Sequence, residues 1–278
     1  MAVEKRYASD IKTILSHRYD NGGDFWTTPD RRLLKGAPFS ALESAFFLLE
    51  LGMDPHETPL REVAELFFGV WQQDGRFKVY PQGGIYPCHT ASAASLLCSM
   101  GYASDKRLRK TFRHLLETRH ADGGWRCKKF SFGRGPETES SNPFPTLVAL
   151  NAFRFSDYLN REPALDQAAD FLLGHWTIKK PIGPCHYGIG TLFMQVEYPF
   201  RGYNLFFYVH VLSFYRRARS DERFQEALKA LESRTADGQI VVERVVSKLA
   251  GLEFCRKGRP SELATVRYRE ILENLDKK

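Results

Sequence analysis

The chain has 278 residues, of which 43% are hydrophobic and 13% are aromatic, so it is long and apolar enough to bury a large core. This composition excludes a mainly disordered chain. The formal net charge of +7 is spread over short basic clusters, which argues against the dense basic stripe of a nucleic-acid-binding protein.

The N-terminal segment MAVEKRYASDIKTILSHRYD is charged and lacks the apolar core of a signal peptide. No apolar run approaches the roughly 18–20 residues of a membrane span. We therefore expect a cytoplasmic protein with no transmembrane segment and no nucleic-acid partner, built as a single domain over residues 1–278. Without a signal peptide, the five cysteines are expected to be reduced thiols or metal ligands rather than a disulfide framework.

A short turn of aspartate, glycine and an apolar residue recurs along the chain and indicates an internal repeat. Three copies are spaced by about fifty residues, and the next gap is about twice as long. We expect a degenerate fifth copy in that gap. The copies are DNGGDFW at 20–26, DGRF at 74–77, DGGW at 122–125, KKPIG at 179–183 and DGQI at 237–240.

An amphipathic run precedes three of these turns, with apolar residues three and four positions apart, as in a helix exposed on one side. The three runs are PLREVAELFFGVW at 59–71, DKRLRKTFRHLLETRH at 105–120 and ALDQAADFLLGHW at 164–176. Each run predicts an outer helix that leads into a turn.

Runs that are more apolar lie after the turns and predict helices buried on most sides. They are residues 38–52, 87–101, 142–155 and 202–217. Pro38 and Pro143 suit the starts of such helices, and Gly52 and Gly101 suit their ends. Strand patterning is scarce, and QIVVERVVS at 239–247 is its main candidate. The pattern predicts an all-α protein of about five helix-hairpin repeats, in which inner helices form a tapered barrel covered by outer helices.

These repeats of aspartate, glycine and an aromatic residue ahead of a buried helix resemble the α/α-toroid superfamily, which includes terpene cyclases and protein prenyltransferase β subunits. The chain resembles more closely the bacterial and archaeal prenyltransferase or squalene-oxidase repeat proteins. The resemblance covers nearly the whole chain, and GRPSELATVRYREILENL at 258–275 is similar to the closing helix of those proteins. It implies an α/α toroid with a central apolar pocket.

The motifs of the individual relatives match unevenly. The chain has no Asp-x-Asp-Asp box and no aspartate-rich metal motif, so proton-initiated cyclisation of the squalene–hopene type and class I terpene chemistry are not expected. Its segment DGRFKVYPQGGIYPCHTASAASLL resembles the prenyltransferase repeat, and that family carries a zinc ion that activates a thiolate. The family's Asp-x-Cys ligand pair is not reproduced here.

Cysteine and histidine recur in loops that lead from outer to inner helices, so residues distant in sequence can converge. Zinc prefers thiolate and imidazole ligands in a tetrahedral set. Cys88, Cys127, Cys185 and His186, with His89 as the alternative, would supply a Cys3His zinc site. Free, partly buried thiols are the second interpretation, and a nucleophilic Cys88 with a histidine base is the third. The segments are PCHT at 87–90, WRC at 125–127 and PCHY at 184–187.

Carboxylates near the same loops are candidates for general acid/base catalysis. Glu137 and Glu139 lie in the long loop at 120–143, where solvated or ion-paired charges are the simpler interpretation. Glu197 lies just before an inner helix, and a buried pair with Arg201 would explain it without catalysis.

Candidate ligand-binding residues are the basic residues near the loops and two aromatic residues near the cysteines: Arg126, Arg134, Arg201, Tyr203 and Phe207. Basic side chains suit an anionic group, and aromatic faces bind apolar chains and cations. His210 within an apolar run is read as a core histidine, Cys98 as core, and Cys255 is given no role.

Three functions remain open from the sequence. The first is an enzyme whose apolar pocket binds a small hydrophobic, isoprenoid-like substrate, with zinc at the pocket's mouth. The second is a non-catalytic binding or scaffold protein with a structural zinc. The third is a carbohydrate-active α/α-barrel enzyme that would use the glutamates named above.

Overall fold

The computed structural model describes residues 6–277, and that part of the chain is rich in helix with one two-stranded hairpin. None of its helices is long and apolar enough to cross a membrane. The α-helices are α1 Ala8–Ser16, α2 Ala41–Glu50, α3 Thr58–Gly69, α4 Pro87–Leu97, α5 Lys106–Glu117, α6 Pro143–Phe153, α7 Pro163–Ile178, α8 Leu205–Ser213, α9 Arg216–Arg219, α10 Glu222–Glu232 and α11 Glu262–Leu275. Strands β1 Thr235–Ala236 and β2 Gln239–Ile240 form the hairpin.

The helices are of two kinds, as the sequence predicts. In α5 the buried residues are Leu108, Thr111, Phe112 and Leu115, so one face packs inward and the charged face meets solvent. By contrast, α6 buries nine of its eleven residues and α8 buries all nine. We call α1, α3, α5, α7 and α10 the cover helices, and α2, α4, α6, α8 and α11 the core helices.

Each cover helix leads through one repeat turn into a core helix, which gives five helix–turn–helix units. The core helices contact one another in chain order: α2 packs on α4, α4 on α6, α6 on α8, and α8 on α11. A side-chain hydrogen bond links the last core helix to the first. In it, Arg267 Nε of α11 donates to Glu50 Oε2 of α2 over 3.2 Å.

The repeat turns share one backbone feature, a glycine at positive φ in each, including the degenerate copy. A Cβ atom at Gly75 would lie 2.9 Å from the Lys110 carbonyl oxygen of α5, and one at Gly123 would lie 2.8 Å from that of Gln167 in α7. Each of these turns therefore packs so closely on the next cover helix that a side chain is excluded. The five glycines are Gly22, Gly75, Gly123, Gly183 and Gly238.

A threonine of the following core helix fixes the turn in three units. Its hydroxyl oxygen accepts a hydrogen bond from the backbone N–H of the apolar residue that closes the turn, which satisfies a buried donor. These bonds run from Phe77 to Thr90 over 3.3 Å, from Trp125 to Thr146 over 3.0 Å, and from Ile240 to Thr265 over 3.0 Å. The repeat seen in sequence is thus a repeat of hydrogen bonding.

Element boundaries differ from the sequence predictions in two places. Helix α6 begins at Pro143 as predicted, but α2 begins at Ala41 rather than Pro38, because the Ser40 hydroxyl caps it by accepting from Glu43 N–H over 3.3 Å. The candidate strand at 239–247 is a strand only at Gln239–Ile240. Beyond Ile240 it makes only isolated bridges within the described residues, so no longer ladder forms.

Candidate functional site

A cavity of about 380 Å³ lies among the core helices. This volume falls within the range of about 300–1,000 Å³ that small-molecule sites occupy. The wall is mainly apolar and aromatic, with polar groups concentrated toward the two ends of the helices. The main apolar lining residues are Phe46, Phe47, Phe144, Val148, Phe200 and Phe207.

Small side chains on α4 leave the space that the cavity fills. Cys88, Ser92, Ser95 and Ser99 all line the cavity and follow one another at spacings of four, three and four residues. That spacing places them on one face of the helix and its continuation. Beside them, Asn151 Nδ2 of the neighbouring helix α6 donates to the Ser95 hydroxyl oxygen over 2.8 Å.

Three cysteines from three separate segments meet at the end of the cavity where the core helices begin. The Cys88 and Cys127 sulfurs are 3.8 Å apart, and the Cys185 thiol donates to the Cys127 carbonyl oxygen over 3.3 Å. All three residues line the cavity, and we call them the thiol cluster. Among residues 6–277, however, no group of three or more His, Cys, Asp or Glu side chains has the arrangement of a metal site.

The thiols of this cluster differ in acidity. A hydrogen bond from the Cys127 thiol lowers the pKa of Cys88 more than burial raises it, and the Lys129 ammonium adds to the lowering. The same contact and burial raise the pKa of Cys127, and burial raises that of Cys185. Because Cys88 also lies at the N-terminal end of α4, it is the thiol of the cluster that ionises most readily.

Of the two candidate histidines, the structure places only His89 beside the thiol cluster. His89 lines the cavity, and its Nε2 accepts a hydrogen bond from Lys129 Nζ over 3.1 Å. Burial and the Lys129 charge lower its pKa to about 3, so the imidazole is neutral. His186 has a left-handed backbone (φ 58°) and lies 3.8 Å from Glu137, outside the cavity lining. Adjacent Cys185 and His186 therefore diverge.

The candidate carboxylates lie away from the cavity. Glu137 is half-buried in the loop, where it accepts from Gly135 N–H over 3.0 Å, and Glu139 is exposed. Glu197 is only 3% exposed, and burial raises its pKa. Its ion-pair partner is Arg244 at 3.8 Å rather than Arg201. None of the three glutamates lines the cavity, so the geometry does not support a carboxylate pair that acts on a molecule inside it.

Two of the candidate ligand-binding residues line the cavity. Phe207 contributes to the apolar wall, and Arg201 contributes a charged group beside it. Arg201 is paired with Glu43, because its Nε donates to Glu43 Oε1 over 2.7 Å. This guanidinium therefore already has a carboxylate partner.

The other three candidates lie outside the lining. The Tyr203 hydroxyl donates to His175 Nδ1 over 2.8 Å and holds a buried histidine. Arg126 donates to the Thr138 carbonyl oxygen over 2.8 Å, and Arg134 is exposed in the long loop. These contacts are structural, and they stabilise the surroundings of the site.

Hydrogen bonds join the two halves of the long loop at 120–143, and ion pairs of Asp122 with His120 and of Glu137 with His186 accompany them. The Asp122 carboxylate accepts from the Ser141 N–H over 2.7 Å and from the Ser141 hydroxyl over 2.6 Å. Asn142 Oδ1 accepts from the Cys127 N–H over 2.5 Å. These bonds bring the two halves of the loop together and place Cys127 at the cavity.

Five titratable residues gather where the core helices end, opposite the thiol cluster, and we call them the charged cluster. The His210 Nε2 donates to Glu270 Oε2 over 2.8 Å, and Arg267 donates to the same carboxylate over 2.9 Å. No local pattern in the sequence indicates this group, because its members come from three core helices and from the residue that follows α6. The members are Glu50, Arg154, His210, Arg267 and Glu270.

Acidification is expected to destabilise the protein through His210. Burial lowers the pKa of His210, and the hydrogen bond to Glu270 offsets only part of that effect. In the unfolded chain this histidine binds a proton near pH 6.5, whereas in the folded chain it stays neutral until the pH is lower. The free energy of unfolding is therefore highest above pH 6.5 and falls below it. We expect a loss of up to about 1.4 kcal/mol per pH unit between pH 6.5 and the lowered pKa. Urea unfolding from pH 7.5 to 5 measures it, and His210→Gln should reduce the slope, while buried His89 and His175 maintain the rest of it. An equal slope in that variant would contradict this assignment.

No protein-family model and no curated protein sequence matches the chain. Solved structures do match, among them a crystal structure of a protein from Actinoplanes. The two share 16% sequence identity over 96% of this chain and 83% of the other, with a TM-score of 0.48. The chemistry of the site therefore follows from its own side chains.

Proposed function

We propose that the five helix–turn–helix units close into an α/α toroid similar to those of terpene cyclases and protein prenyltransferase β subunits. Two features support this architecture. The core helices contact one another in chain order, and Arg267 of the last core helix bonds to Glu50 of the first. The cavity then lies on the axis of the ring, between its core helices.

The function that the geometry supports best is binding of a small hydrophobic, isoprenoid-like molecule in this cavity, with the thiol cluster at one end. One observation carries the proposal: three distant segments bring Cys88, Cys127 and Cys185 to one end of an apolar, aromatic-lined space. Aromatic walls suit an unsaturated apolar chain. The Cys88 thiol, whose pKa the contact with Cys127 lowers, is the group at that end that ionises most readily.

Zinc is the metal that this end of the cavity would take. With zinc–sulfur bonds of about 2.3 Å, two ligands of a tetrahedral site lie about 3.8 Å apart, and the Cys88 and Cys127 sulfurs are 3.8 Å apart. Neither histidine completes the set of zinc ligands. His89 Nε2 accepts a hydrogen bond from Lys129, and His186 pairs with Glu137. The match in spacing is thus between two thiols, and Cys185 is the third sulfur of the cluster. Cys88, Cys127 and Cys185 would hold the ion, which would supply Lewis acidity and stabilise a thiolate at neutral pH.

Zinc analysis tests this assignment. We expect about one equivalent of zinc in the purified protein and a loss of most of it in Cys127→Ser, because one thiolate of three is removed. Cys98→Ser is the matched control, since burial raises the pKa of Cys98 to about 12 and that thiol lies outside the cluster. Less than about 0.2 equivalents in the wild-type protein would overturn the zinc assignment.

Calorimetric titration with farnesol, an isoprenoid alcohol, tests the binding function itself. We expect saturable binding at a single site with a negative heat-capacity change, since apolar surface is buried on both partners. The thermal midpoint should rise with farnesol concentration, because the ligand binds the folded state. No heat and no thermal shift with farnesol, geraniol or farnesyl diphosphate would contradict the proposal.

A further inference from the structure

The charged cluster forms the second polar end of the cavity. Glu50, Arg154, His210 and Arg267 line the cavity, and Glu270 lies behind them. Two carboxylates face two guanidinium groups there, and burial keeps the imidazole of His210 neutral. The formal charge of this end therefore sums to zero, unlike that of a phosphate-binding site, which carries excess positive charge.

Most polar atoms of the charged cluster are satisfied within the protein. Glu50 Oε2 accepts from Tyr198 Oη over 2.9 Å and from Arg267 Nε over 3.2 Å. Glu270 accepts from Arg267 and from His210 over 2.9 and 2.8 Å. These bonds fix the carboxylates and leave them little capacity for a ligand.

Two atoms of the cluster are exceptions among the residues that the structure describes. His210 Nδ1 and Arg154 Nε are buried and have no hydrogen-bond partner. His210 is 1% exposed. A buried polar atom left without a partner costs roughly 1–3 kcal/mol, so such atoms normally mark a place that a water molecule or a ligand fills.

The two atoms are of opposite kinds. Because His210 Nε2 donates its hydrogen to Glu270, Nδ1 of the neutral ring carries a lone pair and accepts. Arg154 Nε carries a hydrogen and donates. The site therefore offers one acceptor and one donor to whatever occupies it.

The two side chains are also neighbours. His210 and Arg154 approach different oxygens of the Glu270 carboxylate, at 2.8 and 3.6 Å. Both also pack on Phe214, whose ring centroid lies 5.3 Å from that of His210 and 4.7 Å from the Arg154 guanidinium carbon. Both side chains also line the cavity, so we take their unpartnered atoms as one candidate site.

A hydroxyl group has the complementary chemistry, because it donates one hydrogen bond and accepts another. A carboxylate or phosphate can only accept, so it would leave His210 Nδ1 facing a negative charge. An alkyl end can satisfy neither atom. The neutral sum of charge at this end also favours an uncharged head group.

We propose that Arg154 and His210 form a subsite for the hydroxyl group of an apolar alcohol, whose chain runs along the cavity toward the thiol cluster. This inference rests on the proposed function, since it concerns the molecule that the cavity binds. It makes the ligand an isoprenoid-like alcohol with its oxygen held at the end away from the thiols. The end that reaches Cys88 is then hydrocarbon.

The test compares probes of equal length with different heads: farnesol, its methyl ether, the hydrocarbon farnesene, and farnesyl diphosphate. Dissociation constants for the wild-type protein are measured by calorimetry and by thermal shift. We expect farnesol to bind at least about tenfold more tightly than the methyl ether and farnesene, because both of these leave a buried polar atom unpaired. Farnesyl diphosphate should bind more weakly than farnesol.

Two variants assign the preference to the named atoms. His210→Gln keeps an N–H donor toward Glu270 but lacks the Nδ1 acceptor, and Arg154→Lys keeps the charge but lacks Nε. Each should reduce the preference for farnesol over farnesene to about threefold or less, while farnesene affinity changes by less than about threefold. Circular dichroism and the thermal midpoint check that both variants are folded.

The outcomes separate this subsite from the function on which it rests. Equal affinity of the wild-type protein for farnesol and farnesene would overturn the hydroxyl subsite and leave apolar binding intact. Tighter binding of farnesyl diphosphate would overturn it in favour of an anion site. A preference retained in both variants would place the hydroxyl elsewhere. No binding of any of the four probes would overturn the proposed function, and the subsite with it.

Discussion

The Ser92→Trp variant is expected to lose farnesol binding, with a dissociation constant at least about tenfold higher than that of the wild-type protein. Ser92 lies on the face of α4 that lines the cavity, between Cys88 and Ser95. An indole at this position fills space that the ligand needs. Because the added volume enters a cavity rather than a packed core, the fold should survive the substitution.

Ser9→Trp is the matched control, since Ser9 also lies on a helix but is exposed on α1. Calorimetry with farnesol should give wild-type affinity for this variant. Wild-type affinity in Ser92→Trp as well would place the ligand outside the cavity.

Trp125→Ala is expected to lower the free energy of unfolding by about 3–5 kcal/mol, more than any other substitution proposed above. The indole of Trp125 is fully buried, and its Nε1 donates to the Leu115 carbonyl oxygen over 2.9 Å. Its backbone N–H is held by Thr146, so the residue joins a turn, a cover helix and a core helix. Removal leaves a large cavity and an unpaired carbonyl group.

Urea unfolding monitored by circular dichroism measures this loss. Trp125→Phe should fall between alanine and the wild-type protein, because it restores packing but not the hydrogen bond. Tyr19→Ala removes an aromatic ring that is 63% exposed and should change stability by less than about 0.5 kcal/mol. Equal losses in Trp125→Ala and Tyr19→Ala would contradict the role assigned to the repeat turn.

Local patterns in the sequence predict the helices and the repeat well, because helix amphipathicity and turn glycines act over a few residues. The aspartate–glycine turn recurs because Gly75 and Gly123 each meet a neighbouring helix too closely for a side chain. The degenerate turn at 179–183 keeps its left-handed glycine although its aspartate is lost. Spacing alone was enough to locate it.

The thiol cluster was predictable because cysteines are few and its members follow equivalent turns. Which histidine lies beside the thiols was not predictable. It depends on the left-handed backbone at His186, which separates that side chain from Cys185. When a residue other than glycine has a positive φ, its sequence neighbourhood does not reveal it. His89 was therefore recognised only as an alternative.

The charged cluster could not be predicted, because its contacts link residues far apart in the chain. Glu50 and Arg267 are 217 positions apart, and His210 and Glu270 are 60 positions apart. His210 looked like a core residue because its neighbours in α8 are apolar, and it is indeed buried. Its function depends on which of its ring nitrogens lacks a partner, and only packing decides that.

Alkylation of Cys88 by maleimides tests the central claim, that a reactive thiol lines an apolar binding cavity. The metal-free protein is treated with N-hexylmaleimide and with a charged maleimide, and each cysteine is followed by peptide mass spectrometry. Cys88 should react first among the five cysteines, and about tenfold faster with the hexyl reagent, because its chain is buried in the cavity. The Ser92→Trp substitution should abolish that preference. Equal rates for the two reagents at Cys88, or a preference that survives Ser92→Trp, would contradict the account.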